Sequence, residues 1–241
     1  MNPYELVFFE DFLEDGPLNP QDWNIEVGDK WANQERQCYR NDVTNIHISN
    51  SLLRLIATHH SDGCRYRSAR INTRGKHAWM YGMFVIKAKM PKGRGSWPAL
   101  WFLGSNLSHT VGWPACGEID LMEYAGQRPK TIYGSLHSKT YNHKINTERT
   151  LTTEIDDLSD VFHEYKVEWT PDHICFYVDD TCYGCYHKEP QDTASEWPFD
   201  QPFYLIINLA VGGMFGGEVV DEDLPFVFEI DWIKIYQKRP L

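Results

Sequence analysis

Gly117-Glu118-Ile119-Asp120-Leu121-Met122-Glu123-Tyr124 sets three acids among apolar residues. Residues two apart in a β-strand share a face. Glu118 and Asp120 therefore project together, with Ile119 and Leu121 turned the other way. Glu123 lies three beyond Asp120, so a regular strand would carry it to the opposite face. One extra residue at Leu121-Met122, a β-bulge, restores the face and lines up Glu118, Asp120 and Glu123 in a row.

Such a row has chemical consequences. Like charges repel, so at least one of the three should hold its proton at neutral pH. A protonated carboxyl beside an ionised one is the pairing of a general acid with a nucleophile. Glycoside hydrolysis with retention uses two carboxyls roughly 5–5.5 Å apart. The Cα atoms of Glu118 and Glu123 are further apart, roughly 13 Å by strand rise. Side chains leaning inward on a concave sheet would close that gap. The plainer readings are an exposed acidic edge or a cation site. Acids are poor strand formers, and three on one face with no interleaved base are costly, which favours chemistry.

Working outward, short alternating runs dominate and helical periodicity is unconvincing throughout. Phe84, Ile86, Ala88 and Met90 oppose Val85, Lys87 and Lys89, and Tyr165, Val167 and Trp169 alternate with Lys166 and Glu168. Pro171-Asp172 marks a turn. Further strands are expected over 52–58, 68–73, 131–138, 203–211 and 226–236. The first strand, 4–9, is expected to pair with the last. Segments 142–160 and 186–202 read as loops, the former with one short helical turn. The pattern predicts an all-β fold of two packed antiparallel sheets, with residues 1–241 forming a single domain.

Composition narrows the function. The chain has 241 residues and a formal net charge of −11, which argues against a nucleic-acid partner that needs a basic stripe. No run approaches 18 apolar residues, so no membrane helix is expected. The start, MNPYELVFFEDF, lacks a basic region followed by an apolar one, so the chain as given carries no signal peptide. Aromatics reach 14%, with nine Trp, more than core filling requires. A cleft that stacks on flat ligands is one use for them. Of the six cysteines, only Cys182-Tyr-Gly-Cys185 forms a C-x-x-C. With no second pair at zinc spacing, the cysteines are read as structural or free thiols, and their pairing stays open.

The row of acids resembles the E-x-D-x-x-E signature of glycoside hydrolase family 16, in the bulged form of its laminarinase-like branch, where Met122 is the extra residue. Further matches are Asn33-Gln-Glu-Arg-Gln37, Ser68-Ala-Arg-Ile71, Gly95-Ser-Trp-Pro-Ala-Leu-Trp101, Phe162-His163, Glu168-Trp-Thr-Pro171 and Asn208-Leu-Ala-Val-Gly-Gly213. Together they span nearly the whole chain.

The resemblance implies a β-jelly-roll sandwich with a long cleft across a concave sheet. It implies Glu118 as nucleophile, Glu123 as acid/base and Asp120 as helper, with no cofactor in catalysis. Trp97, Ala99 and Trp101 share one strand face, which fits either a core strand or a sugar platform. The resemblance puts both Trp in the cleft, with Trp113 as a further stacking candidate. It assigns Asn33 and Glu35 to sugar hydroxyls at the non-reducing side and His137 to the neighbourhood of the nucleophile. Arg70 is expected to face the carboxylates or a hydroxyl, and Asn208 to reach the cleft. A structural calcium on the convex face would use Asp11 and Asp231 with backbone carbonyls. Gln34 stands where the family usually has a second Asn, and Cys38 where an aromatic is common.

The implied activity is endo-hydrolysis of β-1,3-glucan and, secondarily, of mixed β-1,3-1,4-glucan. The implied partner is therefore a β-glucan polysaccharide or oligosaccharide. The protein is expected to be monomeric and, in mature form, secreted or at the cell surface. The alternatives are a glucan-binding recognition protein, whose kind lack one or both glutamates, and a same-fold hydrolase or transglycosylase acting on another neutral polysaccharide.

Overall fold

The computed structural model describes residues 4–239. In chain order its strands are β1 (Tyr4–Glu10), β2 (Asn24–Ile25), β3 (Gln37–Tyr39), β4 (Ile46–Ser49), β5 (Leu52–His59), β6 (Tyr66–Ser68), β7 (Arg70–Asn72), β8 (Gly82–Lys89) and β9 (Ser96–Gly104). They continue as β10 (Glu118–Tyr124), β11 (Thr131–His137), β12 (Arg149–Glu154), β13 (His163–Trp169), β14 (His173–Val178), β15 (Thr181–His187), β16 (Phe203–Val211) and β17 (Phe226–Lys238). One helical turn, α1 (Gly213–Gly216), follows β16. No helix among the described residues is long and apolar enough to cross a membrane.

The strands make two sheets stacked as a β-jelly-roll sandwich. One runs β15-β14-β13-β8-β17-β5-β6-β3, with β1 on β17 and β4 on β5. The other runs β12-β11-β10-β9-β16-β7-β2. Alternation decides which residues enter the space between them. In β13 His163, Tyr165, Val167 and Trp169 are buried while Glu164, Lys166 and Glu168 are less so. β16 is buried on both faces. Its Phe203, Leu205, Ile207, Leu209 and Val211 join the main core, and Tyr204 and Ile206 join a smaller cluster beneath Trp101 and Trp113.

The first strand pairs with the last, Tyr4 opposite Lys238. Two segments differ from the sequence reading. The run 68–73 divides at Ala69 into β6 and β7, which belong to different sheets. The loop expected over 142–160 contains β12, an edge strand whose alternation rests on Leu151 alone. One apolar residue among threonines is too faint a signal for strand periodicity. The expected helical turn is present as a 3-10 turn at His143–Ile145.

Two disulfides form, Cys38–Cys64 and Cys175–Cys185, leaving Cys116 and Cys182 free. Cys182-Tyr-Gly-Cys185 lies within β15.

Candidate active site

β10 carries the bulge. Against β11, Asp120 faces Ser135 and Glu123 faces Tyr133, so three steps on β10 answer two on its neighbour. Against β9 the register slips between Asp120 and Met122. Ile119, Leu121, Met122 and Tyr124 are thereby buried in the core. Glu118, Asp120 and Glu123 face the outer side, where they line one cavity. Gly117 leads into the strand at φ +79°, and a Cβ there would meet Phe203 and Pro198. Only glycine fits that entry.

Each outer glutamate is held by an indole. Trp113 Nε1 donates to Glu118 Oε2 at 3.0 Å, and Trp97 Nε1 donates to Glu123 Oε1 at 3.0 Å. His137, opposite Glu118 on β11, places Nε2 3.2 Å from Asp120 Oδ2 and 3.7 Å from Glu118 Oε1. All three carboxyls are pushed up to about 8, in each case first by burial. The Asp120 charge raises Glu118 and Glu123 further, while His137 and the indole donors oppose the rise. The row titrates as a coupled set and retains protons at neutral pH.

Two adjoining cavities flank the row. The first, about 380 Å³, is lined by Trp97, Trp101, Trp113, Asn33, Glu35, Arg70 and Asn208 together with Trp31, His143 and Lys144. The second, about 320 Å³, lies toward β11 and β12 and includes His137, Tyr133, Ser135, Thr150, Glu148, Met214 and Phe215. The cleft candidates read from sequence are thus brought together. Their contacts are not all those expected.

Trp97 is only 7% exposed, with its ring against Phe215. It is a hydrogen-bond donor more than an open platform. Trp113 is covered by His143 and Lys144, at 4.9 and 4.7 Å. Trp101 stands freer, its Nε1 donating to Asn208 Oδ1 at 2.7 Å. Glu35 accepts from Gln37 Nε2 at 2.6 Å, and burial raises its pKa. Arg70 does not face the carboxylate row. Its guanidinium pairs with Glu26 at 2.7 Å and sits 5.0 Å from the rings of both Trp31 and Trp101. Arg70 lines the first cavity. Its partners Glu26 and Trp31 come from the 26–31 segment, which sequence spacing does not place.

Residues that the sequence reading missed include Trp31, Tyr133, His143, Lys144 and Phe215. Trp31 had a usable signal, an aromatic two residues before Asn33. The glycines flanking Met214-Phe215 were another, since they permit the turn that lays Phe215 over Trp97 and Tyr133.

Asp231 Oδ2 is 2.9 Å from Lys87 Nζ, and neither Asp11 nor Asp231 belongs to a cluster of three potential side-chain ligands among the described residues. Among the described residues, the clusters of three or more potential ligands are Glu118/Asp120/His137 and Cys175/Cys182/Cys185.

The model of the family Glycosyl hydrolases family 16 matches residues 28–234. A beta-glucanase of Rhodothermus marinus is 40% identical over 244 residues, covering 97% of this chain and 85% of that protein. The X-ray structure of the laminarinase from Rhodothermus marinus superposes with a TM-score of 0.94 at 38% identity, covering 98% of each chain. A mutant of SCLam, a non-specific endo-β-1,3(4)-glucanase crystallised with a β-glucan oligosaccharide at its active site, superposes with a TM-score of 0.93 at 33% identity, covering 99% of this chain and 96% of that one.

Proposed function

The chain belongs to glycosyl hydrolases family 16, and from that membership we propose that it is a retaining endo-hydrolase of β-1,3-glucan that also accepts mixed β-1,3-1,4-glucan. The observation that carries this reading is the bulged strand, which puts two indole-held glutamates on one face with Asp120 between them. The oligosaccharide in the SCLam structure supports a glucan as ligand.

In the proposed course, Glu118 attacks the anomeric carbon while Glu123 protonates the departing glycosidic oxygen. The bond from the anomeric carbon to the leaving oxygen breaks as the glycosyl-enzyme ester forms. Glu123, now ionised, takes a proton from water, which attacks the same carbon and releases Glu118. Asp120 and His137 share charge with Glu118. A proton passed to Asp120 leaves Glu118 ionised for attack, so the environment need not lower the nucleophile's own pKa. Every proton is moved by side chains of this chain, and no step is routed through a metal.

A binding-only role would leave this acid–nucleophile pair without a task. The two disulfides suit an oxidising compartment, which supports a secreted or cell-surface location.

The test is product profiling on laminarin, mixed-linkage glucan and neutral galactan, with the anomer of the first product followed by NMR. We expect oligosaccharides of retained β configuration from the two glucans. Release of the α anomer first would overturn the mechanism, and cleavage of galactan alone would overturn the substrate.

A further inference from the structure

The β14–β15 hairpin repeats, with sulfur, the device found in β10. Cys182 and Cys185 are three apart, and a regular strand would place them on opposite faces. Cys185 pairs with Cys175 and Gly184 with Phe176, but Tyr177 pairs with Cys182, so Tyr183 is the extra residue of a bulge. Tyr183 turns toward the core beside Phe176. Cys182 is thereby returned to the face of Cys175 and Cys185. The ligand atoms of the three cysteines all lie within 4.8 Å of one another. Cys175–Cys185 is the disulfide. Cys182 is the exposed thiol, with its Sγ 3.9 Å from Cys185 Sγ.

We propose that this hairpin is a thiol–disulfide exchange site in which Cys182 is the attacking thiol and Cys185 the shared sulfur. The Cys182 thiolate attacks Cys185 Sγ, the Cys182–Cys185 bond forms, the Cys175–Cys185 bond breaks, and Cys175 leaves as a thiolate that takes up a proton. One disulfide and one thiol are present before and after, so no external oxidant or reductant is consumed. Exposure favours Cys182 as the entry point, because the nucleophile must ionise in contact with water. Cys175 is 5% exposed, so the product thiol is sheltered from solvent reagents.

The exchange changes what the disulfide holds. Cys175–Cys185 ties two neighbouring strands together. Cys182–Cys185 closes a loop within one strand and leaves β15 held by its backbone ladder. β15 lies against β12, where Gly184 leaves room for Leu151. The residue before Leu151 is Thr150, which lines the second cavity of the cleft. The site therefore adjoins one wall of the active site without belonging to it.

The test maps the thiols of the whole protein. It is held at about pH 8, where a thiol is partly ionised, then quenched in acid, denatured, alkylated with N-ethylmaleimide and digested for mass spectrometry. We expect label on Cys116 throughout, and label divided between Cys182 and Cys175 with the matching disulfide for each. Label on Cys116 and Cys182 alone would overturn the proposal. A second arm uses Cys175→Ser, refolded in a glutathione redox buffer. We expect a Cys182–Cys185 disulfide and label on Cys116 only, and two free thiols at 182 and 185 would count equally against exchange. Cys182→Ser supplies the reference, a hairpin fixed as Cys175–Cys185.

Discussion

The bulged strand divides the cleft into halves of different chemistry. Toward β9, β16 and β7 the wall is aromatic. Trp31 and Trp101 flank Arg70, whose charge is spent on Glu26, and Asn208 and Glu35 add polar edges. Toward β11 and β12 the wall adds hydroxyls and carboxyls. Ser135 Oγ and Thr150 Oγ1 pair at 2.9 Å, and Glu148 and His143 lie nearby. Its aromatic rings are Tyr133 and Phe215, packed on each other edge to face, and Trp97, which lines both cavities and is held against Phe215. Indole faces grip a pyranose ring through its C–H surface, whereas hydroxyls grip it through hydrogen bonds that water can replace. A retaining hydrolase must hold one side of its substrate through two chemical steps and release the other after the first. The unequal grip suits that order.

The largest effects are expected at the seam between the halves. Glu118→Gln should lower kcat by roughly 10⁴-fold or more while oligosaccharide binding persists. Turnover near the wild-type rate would remove Glu118 from the mechanism. Next come the two indoles that hold the glutamates. Losing a hydrogen bond to a charged group costs about 1.5–3 kcal/mol, or roughly 10–100-fold. Trp113→Phe and Trp97→Phe should each lose activity within that range, but with different pH profiles. Both donors favour the ionised carboxylate, so removing either raises the pKa of its partner. Trp113→Phe should move the acidic limb of kcat/KM to higher pH, and Trp97→Phe the alkaline limb. If both variants shift the same limb, the division of roles between Glu118 and Glu123 fails.

A smaller effect separates the halves directly. Trp101→Ala should raise KM for laminari-oligosaccharides by roughly tenfold, the equivalent of about 1.4 kcal/mol of lost stacking. Thr150→Val keeps the shape and removes one exposed hydroxyl, so its cost should stay below about 1 kcal/mol. Equal losses in the two variants would mean that the halves grip alike.

The parts of this site that were legible in the sequence are those fixed by strand parity. Three acids in a row required one extra residue, and the bulge lies where the count demanded it. Parity also put Trp97 and Trp101 on one shared face, and the family resemblance, not parity, chose the cleft over the core for them. Parity gives a direction but not a neighbour. Arg70 lines the cleft, yet its partners Glu26 and Trp31 arrive from a loop that carries no period. Trp97 and Trp113 looked like platforms because an indole is flat. That each N–H ends on a glutamate depends on ring rotation, which spacing does not encode. β12 stayed hidden because an edge strand with one apolar residue, Leu151, has almost no hydrophobic alternation to show.

The smallest expected effect is on stability. It tests whether the seam, unlike either wall, stores a burial cost. Glu118 is raised from 4.5 to about 8 in the folded protein, so the native state keeps a proton that the unfolded chain releases in that interval. The native state then binds more protons than the unfolded state, and stability falls as pH rises from about 4.5 to about 8. This contribution is fully present below the unfolded value and is lost as pH passes through the folded one. Glu118→Gln cannot ionise and can still accept from Trp113. Its melting temperature should match that of the wild type near pH 4.5 and exceed it near pH 8. A gain of about 1 kcal/mol corresponds to roughly 2–4 °C in a chain of this size. Parallel melting curves for Glu118→Gln and the wild type across this pH range would mean that burial at the seam exacts no electrostatic cost, and the raised carboxyls on which the acid role of Glu123 depends would lose their physical basis.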